Sequence, residues 1–379
     1  MKKPIVWGLV IVVILLVIWV IVDKNKSKPA TGEPIKIGVA TLLTGDYAAL
    51  GENISNTAKL VIEEVNKNGG INGRPLELYI EDSKVDSKSG LDAIQKLVNV
   101  DKAHYIIGGM TSNGTIAGAP IANKQHVIIL TPVTGGSNVD NAGDYVFRIA
   151  NSDVLAGRDL ANAMIKMGYT KVGVISAVTE YTLDIKNTFE STMKNQGEEI
   201  VISEEFQPGT TDYHTMVSKV RTANPQAVLV LSNLGTDAAY FIKQGREMGY
   251  TPPIFTDFNT AANGSVKNIL GSLDGIYFTD PKYDESSKER QAFFNKYKEV
   301  YGKDPAIPFH SASTYDGIMM LTKALQTEGD DSVKVKDWLL ANVKNYHGFM
   351  GTYSLDEKGN SDLGFNIKVF KNGKAELVK

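Results

Sequence analysis

From Ile35 onward, short runs of branched apolar residues alternate with stretches whose apolar residues recur every three or four positions. This alternation constrains the fold more than any other feature. "IKIGVATLL" reads as a buried strand, after which Ile54, Ala58, Val61, Ile62 and Val65 repeat on one helical face. "RPLELYIED" alternates as a strand, Leu91, Ile94, Leu97 and Val98 make the next helical face, and "HYIIGG" is again a strand. The series continues with a helix after Ser112, "VIILTP", a helix over Asp153 to Met167 and "KVGVIS". A helix over Asp184 to Asn195, "EIVISEEF", a helix over Tyr213 to Thr222, "QAVLVLS" and a helix over Asp237 to Met248 follow. Such alternation implies parallel sheets with helices on both faces. A chain of 379 residues exceeds what one core usually serves, so two doubly wound α/β lobes are expected. Two helices in close succession, "SKERQAFFNKYKEVYG" and "HSASTYDGIMMLTKALQ", precede a strand-rich end where "DEKGN" and "KNGK" read as hairpin turns.

Residues 1–34 are of different material. Ile5 to Val22 carries no charge, and at about 1.5 Å rise per residue the run nearly spans a ~30 Å hydrocarbon core. It is longer than a secretory signal's apolar region and ends in Asp23-Lys24-Asn25-Lys26, which favours an uncleaved N-terminal transmembrane anchor over a segment cleaved near Ala30 to release a secreted form. Lysines flank both ends, so charge does not decide the orientation. "DKNKSKPATGEP" then reads as a polar tether.

Several chemistries are excluded. The sequence has no cysteine, hence no disulfide, thiolate metal site or cysteine nucleophile. A net charge of −3 with scattered Lys and Arg lacks the basic stripe that nucleic acid requires. His104, His126, His214, His310 and His347 show no metal-ligand spacing, and there is no G-x-S-x-G elbow. "GMTSNGT" has the glycine spacing of a phosphate loop, but Thr115 stands where the lysine belongs. No cofactor, no metal and no enzymatic activity are therefore expected.

Binding is better supported, because ligands of open α/β sheets sit beyond the carboxyl ends of the strands. After "HYIIG", Thr111 or Ser112 is placed to cap a helix and to offer hydroxyl and N–H groups to an anion, although for this loop taken alone a plain helix cap is the better reading. After "VIIL", Thr131, Thr134 and Ser137 surround the bare backbone of Gly135 and Gly136, as an ordinary irregular loop also would. After "KVGVI", Tyr181 is an aromatic that covers a ligand or simply packs. By contrast, "NKNGGINGRPLELYIEDSKVDS" reads as scaffold: Gly69, Gly70 and Gly73 serve turns, Pro75 starts a strand, and Asp86 or Ser87 caps the next helix.

"TGDYAALG", "NKNGGINGRPLEL", "GGMTSNGT", "ILTP", "YVFRI" and "STYDGIMML" together resemble the branched-chain amino-acid type of periplasmic solute-binding protein, over essentially all of the chain from Ile35 to Lys379. The resemblance implies the periplasmic-binding fold of the first kind: two doubly wound parallel-sheet lobes joined by a three-crossover hinge, here preceded by one transmembrane helix. The crossings are expected near Ala150, Asp280 and Met350, giving lobe 1 as 35–150 plus 281–348 and lobe 2 as 151–280 plus 349–379. It further implies that Ser112, beside Thr111, holds a solute carboxylate, that Tyr181 closes from the second lobe, and that Asp257 or its neighbour Asn259 pairs with an α-ammonium. Leu50 and Phe309 or His310 are expected along the walls. Gly135 falls where amino-acid binders carry a threonine or serine, with Thr134 as the substitute, and the missing hydroxyl leaves carboxylates and amides open as ligands.

The function so implied is capture of a small polar solute, an amino acid or a related carboxylate or amide, by hinge closure. Delivery is to an ABC permease, by a monomer at the outer face of the cytoplasmic membrane. A sensory ectodomain acting through a partner protein is the alternative.

Overall fold

The computed structural model describes residues 32–378 apart from positions 46, 110, 234, 284 and 285. The run Ile5 to Val22 and the anchor expected from it lie outside the described residues. Among the described residues, no helix is long and apolar enough to cross a membrane.

The first half of the chain runs β1 (Ile35–Thr41), α1 (Ala48–Lys67), β2 (Leu76–Asp82), α2 (Ser87–Asn99), β3 (Tyr105–Gly108), α3 (Ser112–Gln125), β4 (Ile128–Thr131) and β5 (Val146–Arg148). These strands form one sheet in the order β2-β1-β3-β4-β5, parallel throughout. The chain then builds α4 (Asp153–Lys166), β6 (Lys171–Ala177), α5 (Glu180–Asn195), β7 (Glu199–Phe206), α6 (His214–Ala223), β8 (Ala227–Leu231) and α7 (Thr236–Glu247). After β9 (Ile254–Thr256) come the short helices α8 (Phe258–Ala262) and α9 (Gly264–Leu270), and then β10 (Ile276–Pro281). The second sheet is ordered β14-β13-β10-β9-β8-β6-β7, where β13 (Phe365–Lys371) and β14 (Lys374–Leu377) are an antiparallel hairpin added at one edge.

The expectation of α/β lobes with parallel sheets holds for β1 to β10, and the terminal hairpin makes the second sheet mixed. That hairpin turns at Asn372 and Gly373, both with positive φ, as "KNGK" predicts. The central strands β3, β4 and β8 are buried along their whole length, which explains their unbroken apolar runs; β2 and β7 lie at edges and are half-exposed.

Each sheet has an apolar core on both faces. In the first, α1 covers one side with α10 (Lys288–Tyr301), α11 (Pro308–Glu328) and α12 (Ser332–Asn342), while α2 and α3 cover the other. In the second, α4 and α5 pack one face, and α6 and α7 pack the opposite one. Phe349, Met350, Tyr353 and Leu355 belong to the first core, and the chain enters the second sheet only at Phe365. Arg148, buried at the end of β5, donates to the Ala150 and Ser361 carbonyls and to the Asp140 and Asp362 carboxylates, joining two of the connections between the sheets.

Two local readings change. Helix α5 starts at Glu180 rather than Asp184, because Thr179 and Thr182 form a reciprocal cap, each side chain accepting the other's backbone N–H at 3.3 Å. The "DEKGN" turn closes only an isolated bridge between Leu355 and Ser361; the paired strands nearby are β11 (Tyr346–Gly348) and β12 (Gly351–Tyr353), which turn at Phe349 and Met350. That turn has no glycine or asparagine at its tip because the buried Asp316 carboxylate on α11 accepts both tip N–H groups, at 2.6 and 3.0 Å.

Candidate functional site

The parallel strands of the two sheets share one order. The chain leaves β1 to one side for β2 and returns across it to β3, and it does the same around β6 with β7 and β8. Each sheet therefore has a switch point, where adjacent strand ends diverge and a crevice opens at their carboxyl edge. The loops after β1 and β3 border the first crevice, and those after β6 and β8 border the second.

These two edges meet. Asn233, after β8, donates through Nδ2 to the Tyr47 hydroxyl, after β1, at 2.8 Å. On another flank Ser137, after β4, donates to Asp184 on α5 through its N–H at 2.7 Å and its hydroxyl at 3.0 Å, and the Asn138 amide donates to Glu180. The Phe258 ring stands edge-on to His310 at 6.1 Å. The cleft between the sheets is thus closed, with bonds across it at its margins.

Its first wall is held by side chains of local origin. The Asp82 carboxylate at the end of β2 accepts the Leu43 N–H at 3.0 Å and the Thr44 hydroxyl at 2.5 Å, fixing the loop before Tyr47. Thr111 caps α3 by accepting the Gly114 N–H at 3.1 Å, so its hydroxyl is in use. Ser112 opens α3 half-buried, and its Oγ lies 2.4 Å from where a Cβ on Gly136 would stand. The Thr134 hydroxyl, expected to substitute at the ligand, donates instead to the Gly109 carbonyl. At Gly135 a Cβ would come within 2.3 Å of Asp153 Oδ1 and 2.7 Å of the Asn151 carbonyl; the space of a larger side chain is filled. Leu50 lies in the first turn of α1, partly buried against the first core. Phe309 is inside that core, edge-on to Tyr283 at 6.0 Å, while its neighbour His310 meets Phe258 from the opposite wall.

The second wall centres on Asp257. Its fully buried carboxylate accepts the Tyr181 hydroxyl at 3.3 Å and the Thr260 N–H at 3.0 Å through Oδ1. Through Oδ2 it accepts the Ser232 N–H at 3.1 Å and the Thr260 hydroxyl at 2.9 Å. Four donors fill the four lone-pair positions of a carboxylate. Asp257 thus caps α8 and links β8 to Tyr181. Asn259 follows it in α8.

Acidic groups gather here beyond what the sequence suggested. Burial pushes the Asp153 carboxyl well above the usual range, and Asp184, Glu180 and Asp257 push the same way, against Arg148. Burial also raises Asp257 and, with Asp184, raises Glu180. Burial lowers His310 to about 4, leaving its imidazole neutral. Among the described residues no cluster of His, Cys, Asp or Glu can hold a metal. Tyr47, Asn233, Asp153 and Asp184 were not singled out from the sequence. For Tyr47 and Asn233 the signal was present, since each follows a strand at a switch point.

A family model described as periplasmic binding protein matches residues 34–364. The leucine-, isoleucine-, valine-, threonine- and alanine-binding protein of Pseudomonas aeruginosa is 25% identical over 351 residues, covering 91% of each chain. Among solved structures, the branched-chain amino acid transporter substrate-binding protein of Streptococcus pneumoniae in complex with isoleucine superposes with a TM-score of 0.80. It is 27% identical, with 91% of this chain and 99% of that one covered. A solute-binding protein of an ABC transporter from R. palustris, in complex with 4-hydroxybenzoate, has the same TM-score of 0.80 at 19% identity, with 92% of this chain and 96% of that one covered; this shows a shared fold.

Proposed function

The chain belongs to the periplasmic binding protein family, branched-chain amino-acid type, and on that premise we propose that it captures a small polar solute by closing two lobes over it and delivers the solute to an ABC permease. Its relatives are solute-binding proteins of transport systems, not enzymes, and the family acts outside the cytoplasm. The solute class is an amino acid or a related carboxylate or amide. The apolar run Ile5 to Val22 keeps the protein at the outer face of the membrane, near its permease.

One observation carries this reading: the two switch-point crevices face each other, and Asn233 bonds to Tyr47 across the gap. A ligand favours such a closed state only through contacts it gains there. Ser112 with the N-terminus of α3 receives the carboxylate, Tyr181 closes from the second lobe with Asp257 behind it, and Leu50 and His310 contribute walls. Thr111, Thr134, Gly135 and Phe309 shape the pocket from behind through their own internal contacts.

The test is a thermal-shift screen of amino acids and small carboxylates on the purified protein, with X-ray scattering of hits. A solute at 100 times its Kd stabilises the fold by ~2.7 kcal/mol. Scattering should also show a smaller radius of gyration with ligand. Absence of any stabilising solute across both classes counts against the reading.

A further inference from the structure

We propose that Glu180 and Asp184 on α5 form a latch between the lobes that couples closure to proton uptake, so that the cleft closes more readily as the medium becomes acidic. The proposal rests on the reading of two lobes that close over a solute. It concerns a margin of the cleft rather than the groups that receive the solute.

Glu180 and Asp184 stand one helical turn apart, so their carboxylates share a face of α5. That face meets the loop after β4, which belongs to the other sheet. Asp184 accepts the Ser137 N–H at 2.7 Å and the Ser137 hydroxyl at 3.0 Å, and Glu180 accepts the Asn138 amide through Oε1. The loop is a firm partner. Val139 N–H donates back to the Gly136 carbonyl at 3.0 Å, and the buried Arg148 holds Asp140 at 2.8 Å. Because these bonds run from one sheet to the other, opening the cleft breaks them.

A simpler account is that Glu180 lies in the first turn of α5 because the helix dipole favours an acid there. The dipole does not explain the pairing. Thr179 and Thr182 already cap α5, and both carboxylates turn instead to donors of the opposite wall. Like charges at this spacing repel each other, and closing adds to the cost. Glu180 Oε2 is buried and has no hydrogen-bond partner among the described residues. Asp153 on the adjoining α4 brings a further acidic group. The cations of these elements are engaged elsewhere: Arg148 by Asp140 and Asp362, Arg158 on α4 by Asp159, and Lys186 on α5 by Glu205 at 2.6 Å.

Burial, with Asp184, raises the Glu180 carboxyl above its ordinary range in this closed form. An opened cleft returns Glu180 to solvent, so closing draws a proton onto it. A group whose affinity for protons is higher in the closed form favours that form at low pH. The contribution is complete below the open-form value, about 4.3 for a solvated glutamate, and is lost as pH rises through the raised one.

The chain has no cysteine, so a dye pair can be placed at Lys59→Cys in the first lobe and Lys194→Cys in the second, both exposed positions. Single-molecule energy transfer then reads the closed fraction with no solute present. The closed-to-open ratio should rise roughly threefold or more from about pH 7.5 to about pH 5. Glu180→Gln keeps an acceptor for Asn138 but not the charge, so it should be at least as closed at the higher pH and should not respond to acid. Asn138→Ala, an exposed substitution that uncovers Glu180, should flatten the response as well, whereas Ser137→Ala should lower the closed fraction at every pH and keep the slope. A ratio independent of pH in the parent protein overturns the proposal, and so does a slope retained in Glu180→Gln or, if that variant does not fold, in Asn138→Ala. If pH changes nothing while L-leucine or 4-hydroxybenzoate closes the lobes, the latch fails and the solute-binding reading stands. If neither pH nor either probe moves them, both fall.

Discussion

Asn233 Nδ2 donates to the Tyr47 hydroxyl at 2.8 Å, joining the loop after β8 to the loop after β1. The bond couples the two places where the strand orders reverse, so each crevice becomes one half of a shared cleft. Together with Ser137 and Asp184 on another flank it defines the closed state. Neither contact needs ligand. Each biases the closed form, and the ligand adds the rest.

A neutral hydrogen bond of this kind contributes about 0.5–1.5 kcal/mol. Tyr47→Phe should therefore weaken solute affinity by roughly two- to tenfold and enlarge the ligand-free radius of gyration in scattering. Asn233→Ala should do the same, and the double variant should lose no more than either single one. Additive losses would mean that the two side chains act independently.

Asp257 is predicted to matter for stability before it matters for affinity. Asp257→Ala strands the Ser232 and Thr260 N–H groups in a buried site and removes the cap of α8, at a cost of about 2–4 kcal/mol. Denaturant melts should show this loss without ligand. A variant as stable as wild type would mean that water or a rearranged Thr260 replaces the carboxylate.

Gly135 supplies a third prediction. A methyl group there would stand 2.3 Å from Asp153 Oδ1 and 2.7 Å from the Asn151 carbonyl, and the second of these is backbone. Gly135→Ala should cost about 1–3 kcal/mol by overpacking and should shift the Asp153 carboxylate. Solute affinity should fall along with the melting temperature. A neutral substitution would show that this loop moves freely relative to α4.

The sequence made the alternation of elements legible, because β3, β4 and β8 are buried end to end and read as apolar runs. It concealed β5 and β9, whose three residues are too short to show any period. The β11–β12 turn was hidden for a different reason: it is set by Asp316, far earlier in the chain, and not by turn residues of its own. The site behaved similarly. Its loops could be found, because each follows a strand, and Tyr181 did come beside Asp257. What no reading along one loop reveals is that Asp153 from the next connection fills the space at Gly135, or that Thr134 is consumed by Gly109.

Two buried groups in the first lobe give pH dependences of opposite sign. Burial lowers His310 from 6.5 to about 4, so the unfolded chain takes up a proton that the folded one resists. Its contribution is complete above about 6.5 and is lost as pH falls to about 4, roughly 3 kcal/mol in all. Burial raises Asp316 from 3.8 to about 7 despite its N–H donors, so the folded chain keeps a proton that the unfolded one releases. Its contribution is complete below about 3.8 and is lost as pH rises to about 7, roughly 4 kcal/mol in all. The two slopes oppose each other across the interval they share. Removing either should expose the other: the stability deficit of His310→Gln should shrink as pH falls from 7 to 4, and that of Asp316→Asn should shrink as pH rises over the same range. Asp316→Asn will also be less stable throughout, because its amide nitrogen must face the Phe349 or Met350 N–H, but the slope and not the offset is the measure. Denaturant unfolding at four or five pH values separates them, and parallel curves for wild type and both variants would mean that neither group changes its proton affinity on folding.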